Sequence, residues 1–195
     1  MGKVLIACEE SQVVTIEMRK RGHEAYSCDI LPCSGGHPEW HIQDDALKHI
    51  DDGWDIMIAH PPCTYLSNAG ARFLYPKGIL NLERKKNGDI AAAFFMKLYN
   101  APIPKKVIEN PIPSKIYGLP KASQIIQPYE HGHPYQKKTC LWVQGLPLLK
   151  PTKVLEKPQS TKIPGNWFNK GGKERQKNRA KTFPGIAFAM AEQWG

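Results

Sequence analysis

Apolar positions along this chain fall into short blocks of strand length, separated by polar stretches with helical spacing. Lys3–Ala7 (Lys-Val-Leu-Ile-Ala) is one such block and reads as a buried strand. Ser11 stands where an N-cap is expected, which predicts a helix over Gln12–Arg21, and Gly22 is placed to stop it. Glu24–Ile30 reads as a second strand ending on an acid, Gln43–Ile50 as a short helix, and Trp54–Ala59 as a further strand. After a long loop, Leu82–Tyr99 is the longest helical stretch, with the apolar block Ala91 to Met96 expected to face inward. Lys106–Glu109 completes this half as a strand that Asn110-Pro111 should break. The β-α-β-α-β-α-β rhythm predicts an α/β fold: a doubly wound, mostly parallel, Rossmann-like sheet with helices on both faces.

Past Pro111 the pattern changes. Pro and Gly become frequent, and Thr139–Val143 with its neighbours reads as hairpin strands at the end of the sheet. Residues 151–181 are polar, basic and without apolar period, which predicts a mobile loop. Phe183, Ile186, Ala187, Met190 and Trp194 then restore helical spacing, predicting a closing helix over Phe183–Trp194. No internal repeat or second core is visible, so residues 1–195 are expected to form one domain.

Composition narrows the class. With 195 residues, 41% hydrophobic and 23% charged, the chain is of globular type. No apolar run approaches the roughly 20 residues of a membrane span, and Met1-Gly2-Lys3 leads at once into a strand, so a cytoplasmic protein without a secretory signal is expected. Five cysteines, an odd count without a CxxC pair, predict neither disulfides nor a metal site. His131-Gly132-His133 reads as a turn rather than a ligand pair. The net charge of +9, partly gathered between Lys170 and Lys181, predicts a polyanionic partner, DNA or a nucleotide, with a merely solvated basic surface as the plain alternative.

Candidate chemistry collects at predicted strand ends, where open α/β sheets hold their ligands. His60-Pro61-Pro62-Cys63-Thr64 follows the Trp54–Ala59 run; its two prolines lead the chain out of the sheet and set the thiol of Cys63 on a rigid loop. Asp29 closes the second strand, where an acid takes ribose hydroxyls. Asp44 and Asp45 stand at the start of the short helix, and Glu109-Asn110 ends a later strand. Singly, each has a plain structural reading: acids cap helices and turns, and a free cysteine is most often a small buried hydrophobe. Adjacent strands, however, would bring Cys63 and Glu109 to one edge.

The pair Pro62-Cys63 and Val107-Ile108-Glu109-Asn110 resembles the cytosine-C5 methyltransferase family, and over residues 1–115 the order and spacing also match. The chain is similar to compact phage-type relatives that lack a separate target-recognition domain. The resemblance implies Cys63, Glu109 and Asn110 as the catalytic group. It implies S-adenosylmethionine as cofactor, held by Ala7, Cys8, Glu9, Ser11, Asp29, Asp45, His60 and Pro61, with Asp44 or Asp45 toward the adenine. Pro62, Thr64, Ser67, Gln136, Lys138, Arg175 and Arg179 fall to the substrate. Two departures stand out. The turn Ala7-Cys8-Glu9-Glu10-Ser11-Gln12 has no glycine where the family has a glycine-rich one, and Gln136-Lys137-Lys138-Thr139 is a degenerate counterpart of the family's Gln-x-Arg-x-Arg segment, or else the start of an edge strand.

Three functions follow as expectations. The first is methyl transfer to C5 of cytosine in DNA through a Cys63 adduct at C6. The second keeps the thiolate addition but uses a free cytosine nucleotide or another one-carbon donor. The third is a catalytically silent nucleic-acid or nucleotide-binding module.

Overall fold

The computed structural model of the protein describes residues 1–158 and 181–195. Its centre is a sheet of seven strands: β1 (Lys3–Ala7), β2 (Glu24–Cys28), β3 (His41–Ile42), β4 (Ile56–Ala59), β5 (Lys105–Pro111), β6 (Gln124–Ile126) and β7 (Thr139–Gln144). They lie in the order β3-β2-β1-β4-β5-β7-β6. The first five are parallel to one another, and β7 runs antiparallel to both β5 and β6. The chain winds outward from β1 through β2 to β3, then returns to the other side of β1 for β4 and β5. The switch point of this doubly wound, Rossmann-like sheet therefore lies between β1 and β4.

The strands alternate their side chains between two apolar layers. Val4, Ile6, Ile58, Val107 and Leu141 pack with α1 (Val13–Lys20) and α3 (Pro184–Trp194), whereas Leu5, Met57, Ile108 and Trp142 pack with α2 (Leu82–Tyr99). Phe95 of α2 meets Trp142 edge to face at 4.9 Å, and the indole N–H of Trp142 donates to the Pro120 carbonyl at 2.7 Å. This face thus buries its largest ring without stranding its polar atom. Strands covered on both sides need continuous apolar runs, which is what β1 and β4 carry.

Several expectations need correction. Helix α1 is not capped by Ser11. Gln12 holds the cap position in left-handed backbone (φ 56°) without a side-chain cap, and the Glu9 carboxylate reaches over to accept from the Val14 and Thr15 amides at 2.7 and 3.2 Å. The stretch read as a helix over Gln43–Ile50 is a single 3₁₀ turn, Ala46–Lys48, preceded by β3, whose two residues are too few to show alternation. Within the block Ala91 to Met96, Ala92 and Phe95 are buried but Ala93 faces solvent, because only one stripe of α2 meets the sheet. Asn110-Pro111 does not break β5, which pairs with β7 as far as Pro111 opposite Thr139. Finally, β7 lies inside the sheet between β5 and β6, so Gln136–Thr139 does not begin an edge strand. The bounds of α2 agree with the periodicity, and α3 follows it from Pro184 onward with Phe183 as cap. Most of the basic 151–181 segment, including Arg175 and Arg179, lies outside the described residues.

Candidate active site

Strand register draws the site. Ala7 pairs with Cys28 and with Ala59, and Ala59 pairs with Ile108. The next residue along each of these four strands is Asp29, Cys8, His60 and Glu109, which therefore stand side by side along the carboxyl edge, across the switch point. His60 extends the ladder one step further, its amide donating to the Ala7 carbonyl at 2.9 Å.

From His60 the two prolines carry the chain outward to Cys63, which is half-buried and unbridged. The loop then turns sharply, with the Leu66 and Ser67 amides both donating to the Cys63 carbonyl, at 3.2 and 3.0 Å. Three contacts fix this turn against the exit of β5. The buried Asn110 amide donates to the Pro61 carbonyl at 2.8 Å, the Asn68 amide to the Ile112 carbonyl at 2.8 Å, and the Ser114 amide to the Leu66 carbonyl at 2.7 Å. On the outer side, the Arg84 guanidinium of α2 donates to the Thr64 carbonyl at 2.9 Å and lies over the Tyr65 ring. The thiol loop is thus held from both sides by groups 20 to 49 residues away in sequence.

Below the loop lies a buried charged cluster. The His60 ring meets Glu109 at 3.1 Å (Nδ1 to Oε2), and their side chains are 7% and 14% exposed. Burial alone would raise the Glu109 pKa, but the His60 hydrogen bond and the charges of Lys137 and His60 outweigh it and hold the carboxyl below its ordinary value. Burial likewise opposes charge on His60, yet the hydrogen bond and charge of Glu109, with the charge of Glu9, lift its pKa above the ordinary value. Nε2 of His60 is buried without a hydrogen-bond partner among the described residues.

The turn after β1 takes its shape without glycine. Cys8 adopts left-handed backbone (φ 62°), its amide donating to the Cys28 carbonyl at 2.7 Å. Burial, reinforced by the negative charge of Asp29, pushes the Cys8 thiol well above its ordinary pKa, so it stays protonated. Glu9 is buried, and its carboxylate also accepts from the Thr15 hydroxyl at 2.7 Å. Asp29 accepts from the Leu31 amide at 2.9 Å. Asp45 caps the 3₁₀ turn through the Leu47 amide at 3.0 Å, and Asp44 pairs with Lys48 at 2.7 Å. Ser11 and Ser67 are half-buried, while Pro62, Thr64 and Lys138 are exposed. The Gln136 amide donates to the Pro158 carbonyl. Lys137 had no assigned role, yet it is the lysine whose charge Glu109 and His60 feel. Alternation along the approach to β7 could have pointed to it, since Lys137 is partly covered whereas Lys138 is not. A shallow groove lined by Ile50, Asp51, Met96 and Ala101 is formed by residues that precede β4 and β5, at the other edge of the sheet.

No protein-family model matches the chain, and no curated protein matches it. Among solved structures the chain is similar to one described as a candidate DNA modification methyltransferase encoded within an E. coli prophage. The two share 12% identity at a TM-score of 0.49, over 78% of this chain and 51% of that one, so the chain spans about half of that protein's length.

Proposed function

We propose that this protein transfers a methyl group to C5 of cytosine in DNA, with Cys63 adding covalently to C6. The observation that carries the reading is the docking of the Cys63 loop on the Glu109-Asn110 exit of β5, through Asn110 to Pro61 and through Leu66–Asn68 to Ile112–Ser114. A thiol and a carboxylate held by one rigid frame can act on two positions of one flat ring. Cytosine C5 is a weak nucleophile. Addition of the Cys63 thiolate at C6 moves an electron pair into the ring and makes C5 an enamine carbon able to take an electrophilic methyl group. Glu109, facing N3 and the exocyclic amine, accepts from the amine and, when protonated, stabilises the negative charge that develops at N3. A base then removes the C5 proton and the thiol leaves.

The sheet edge fits S-adenosylmethionine better than a dinucleotide. In dinucleotide-binding sheets the pyrophosphate sits on the amides at the start of the first helix. Here the Val14 and Thr15 amides are already answered by Glu9, which leaves no place for a phosphate and adds negative potential. A cofactor with a nucleoside and a cationic sulfonium suits that arrangement: Asp29 would take the ribose and Asp45 or Asp44 the adenine side, with the Cys8 turn beside them. When bound, the group supplies the electrophilic methyl. Exposed Pro62, Thr64 and Lys138, with Ser67, Gln136, Arg175 and Arg179, are assigned to the DNA, consistent with the +9 charge.

The test is mass spectrometry of nucleosides from cells expressing the protein. The expected product is 5-methylcytosine in DNA, lost by roughly a thousandfold or more in Cys63→Ala. Normal methylation by that variant would refute the role of Cys63. Calorimetric titration with S-adenosylmethionine checks the donor separately; no binding heat would point to another one-carbon source.

A further inference from the structure

The pair beneath the thiol loop implies more than an oriented carboxylate. Thiolate addition at C6 drives an electron pair toward N3, and the adduct becomes stable only as N3 gains a proton. An ionised Glu109 has none to give, and its surroundings favour ionisation. Besides each other, three groups bear on the pair: Glu9 from the turn after β1 acts on His60, Lys137 ahead of β7 acts on both, and the Cys140 thiol on β7 feels the Glu109 charge. Glu9 is engaged with the start of α1, and Lys137 acts on Glu109 through its charge. His60 is hydrogen-bonded to it.

Resting on the reading above, we propose that His60 is the proton reservoir for cytosine N3, sharing one proton with Glu109 across their 3.1 Å contact and releasing it through the Glu109 carboxyl as Cys63 adds to C6. Before attack the proton rests on the imidazole with Glu109 ionised. As the S–C6 bond forms, the proton crosses to the carboxyl and from there to N3, leaving neutral His60, ionised Glu109 and an N3-protonated adduct. Expulsion of the thiol returns the proton by the same route. The geometry favours loan over permanent charge: among the described residues Nε2 of His60 has no hydrogen-bond partner to stabilise its N–H, so Glu109 is the one hydrogen-bond partner of the imidazolium there. The His60 backbone, fixed between the Ala7 carbonyl and two prolines, keeps the ring in line.

The experiment follows exchange of the cytosine C5 hydrogen for deuterium in D2O, which requires attack at C6 but no methyl donor. It uses an oligodeoxynucleotide containing cytosine, and the full-length protein as wild type, His60→Asn and Cys63→Ala. Asparagine sets its amide N–H close to where Nδ1 stands, so it preserves the hydrogen bond to Glu109 but cannot hand over a proton. Exchange by the wild type should fall as pH rises through the His60 pKa. His60→Asn should be slower by about a hundredfold at neutral pH, with that alkaline limb moved to lower pH. A His60→Asn rate within about twofold of wild type on an unmoved limb overturns the proposal and leaves His60 as an orienting group. Absence of exchange by the wild type refutes cytosine attack itself, and the proposal with it. Should His60→Asn fail to fold, NMR titration of the His60 imidazole decides: its pKa should drop in Glu109→Gln, and an unchanged value overturns the shared proton.

Discussion

A single amide determines where the thiol can stand. Asn110 is fully buried; its Nδ2 donates to the Pro61 carbonyl at 2.8 Å, and its Oδ1 has no hydrogen-bond partner among the described residues. Prolines at 61 and 62 remove two backbone donors from this stretch, so the loop depends on side-chain and distant backbone donors to hold it. Asn110→Ala should cost about 1–3 kcal/mol in urea unfolding, because the Pro61 carbonyl is left without that donor. Asn110→Asp should cost more at neutral pH than in acid, since an ionised carboxylate would face a carbonyl; a pH-independent loss would refute that explanation. At this scale the sequence was partly legible. Cys63 and Glu109 could be paired because one lies on the loop leaving a predicted strand and the other ends a predicted strand, and strand ends share an edge. The His60–Glu109 contact spans 49 residues and leaves no local pattern, and Lys137 enters only because β7 turns inward between β5 and β6.

Among the elements, those with long periodic faces were legible and those defined by a distant partner were not. Helix α2 has 18 residues and its own N-cap, Asn81, whose side chain accepts from the Arg84 amide, so its bounds are written locally. Helix α1 takes its cap from Glu9, five residues before Val14, through a left-handed turn that a Ser/Thr/Asp/Asn rule does not describe. Glu9→Ala should therefore destabilise the fold by about 1–3 kcal/mol, measured by urea unfolding, because two amides lose their acceptor in a buried site. Helix α3 is seated by a close approach. A Cβ on Gly185 would lie 1.9 Å from the His131 carbonyl oxygen, and the Gly185 amide donates to His133 Nε2 at 2.9 Å. Gly185→Ala should push α3 off this turn, lowering stability by about 1–3 kcal/mol or more. An unchanged unfolding midpoint would show that the turn can yield.

For the whole molecule, the histidines set opposing pH limits on stability. Burial, reinforced by the charge of His133, lowers the His131 pKa to about 4, and burial lowers that of His133, whose Nε2 must stay unprotonated to accept from Gly185. A pKa depressed on folding means that the unfolded chain binds more protons, so this stability is complete above the unfolded value near 6.5 and is lost as pH falls toward 4. His60 has the opposite sign. Its folded pKa is raised, so its contribution is complete below 6.5 and fades as pH rises through the folded value. Glu9, raised chiefly by burial, tilts the acid side back toward low pH, while depressed Glu109 opposes it. The two histidine groups together place the stability maximum close to pH 6.5. Urea midpoints measured from pH 4.5 to 8.5 should trace that maximum. His131→Gln should flatten the acid limb and His60→Asn the alkaline one, each leaving the other in place. If both variants shifted the curve uniformly, the limbs would have to come from groups other than these histidines. The alkaline limb belongs to the same proton that the proposed reaction draws on, so the weakening of the fold, which sets in above the unfolded value, should level off at the pH where cytosine exchange begins to fail.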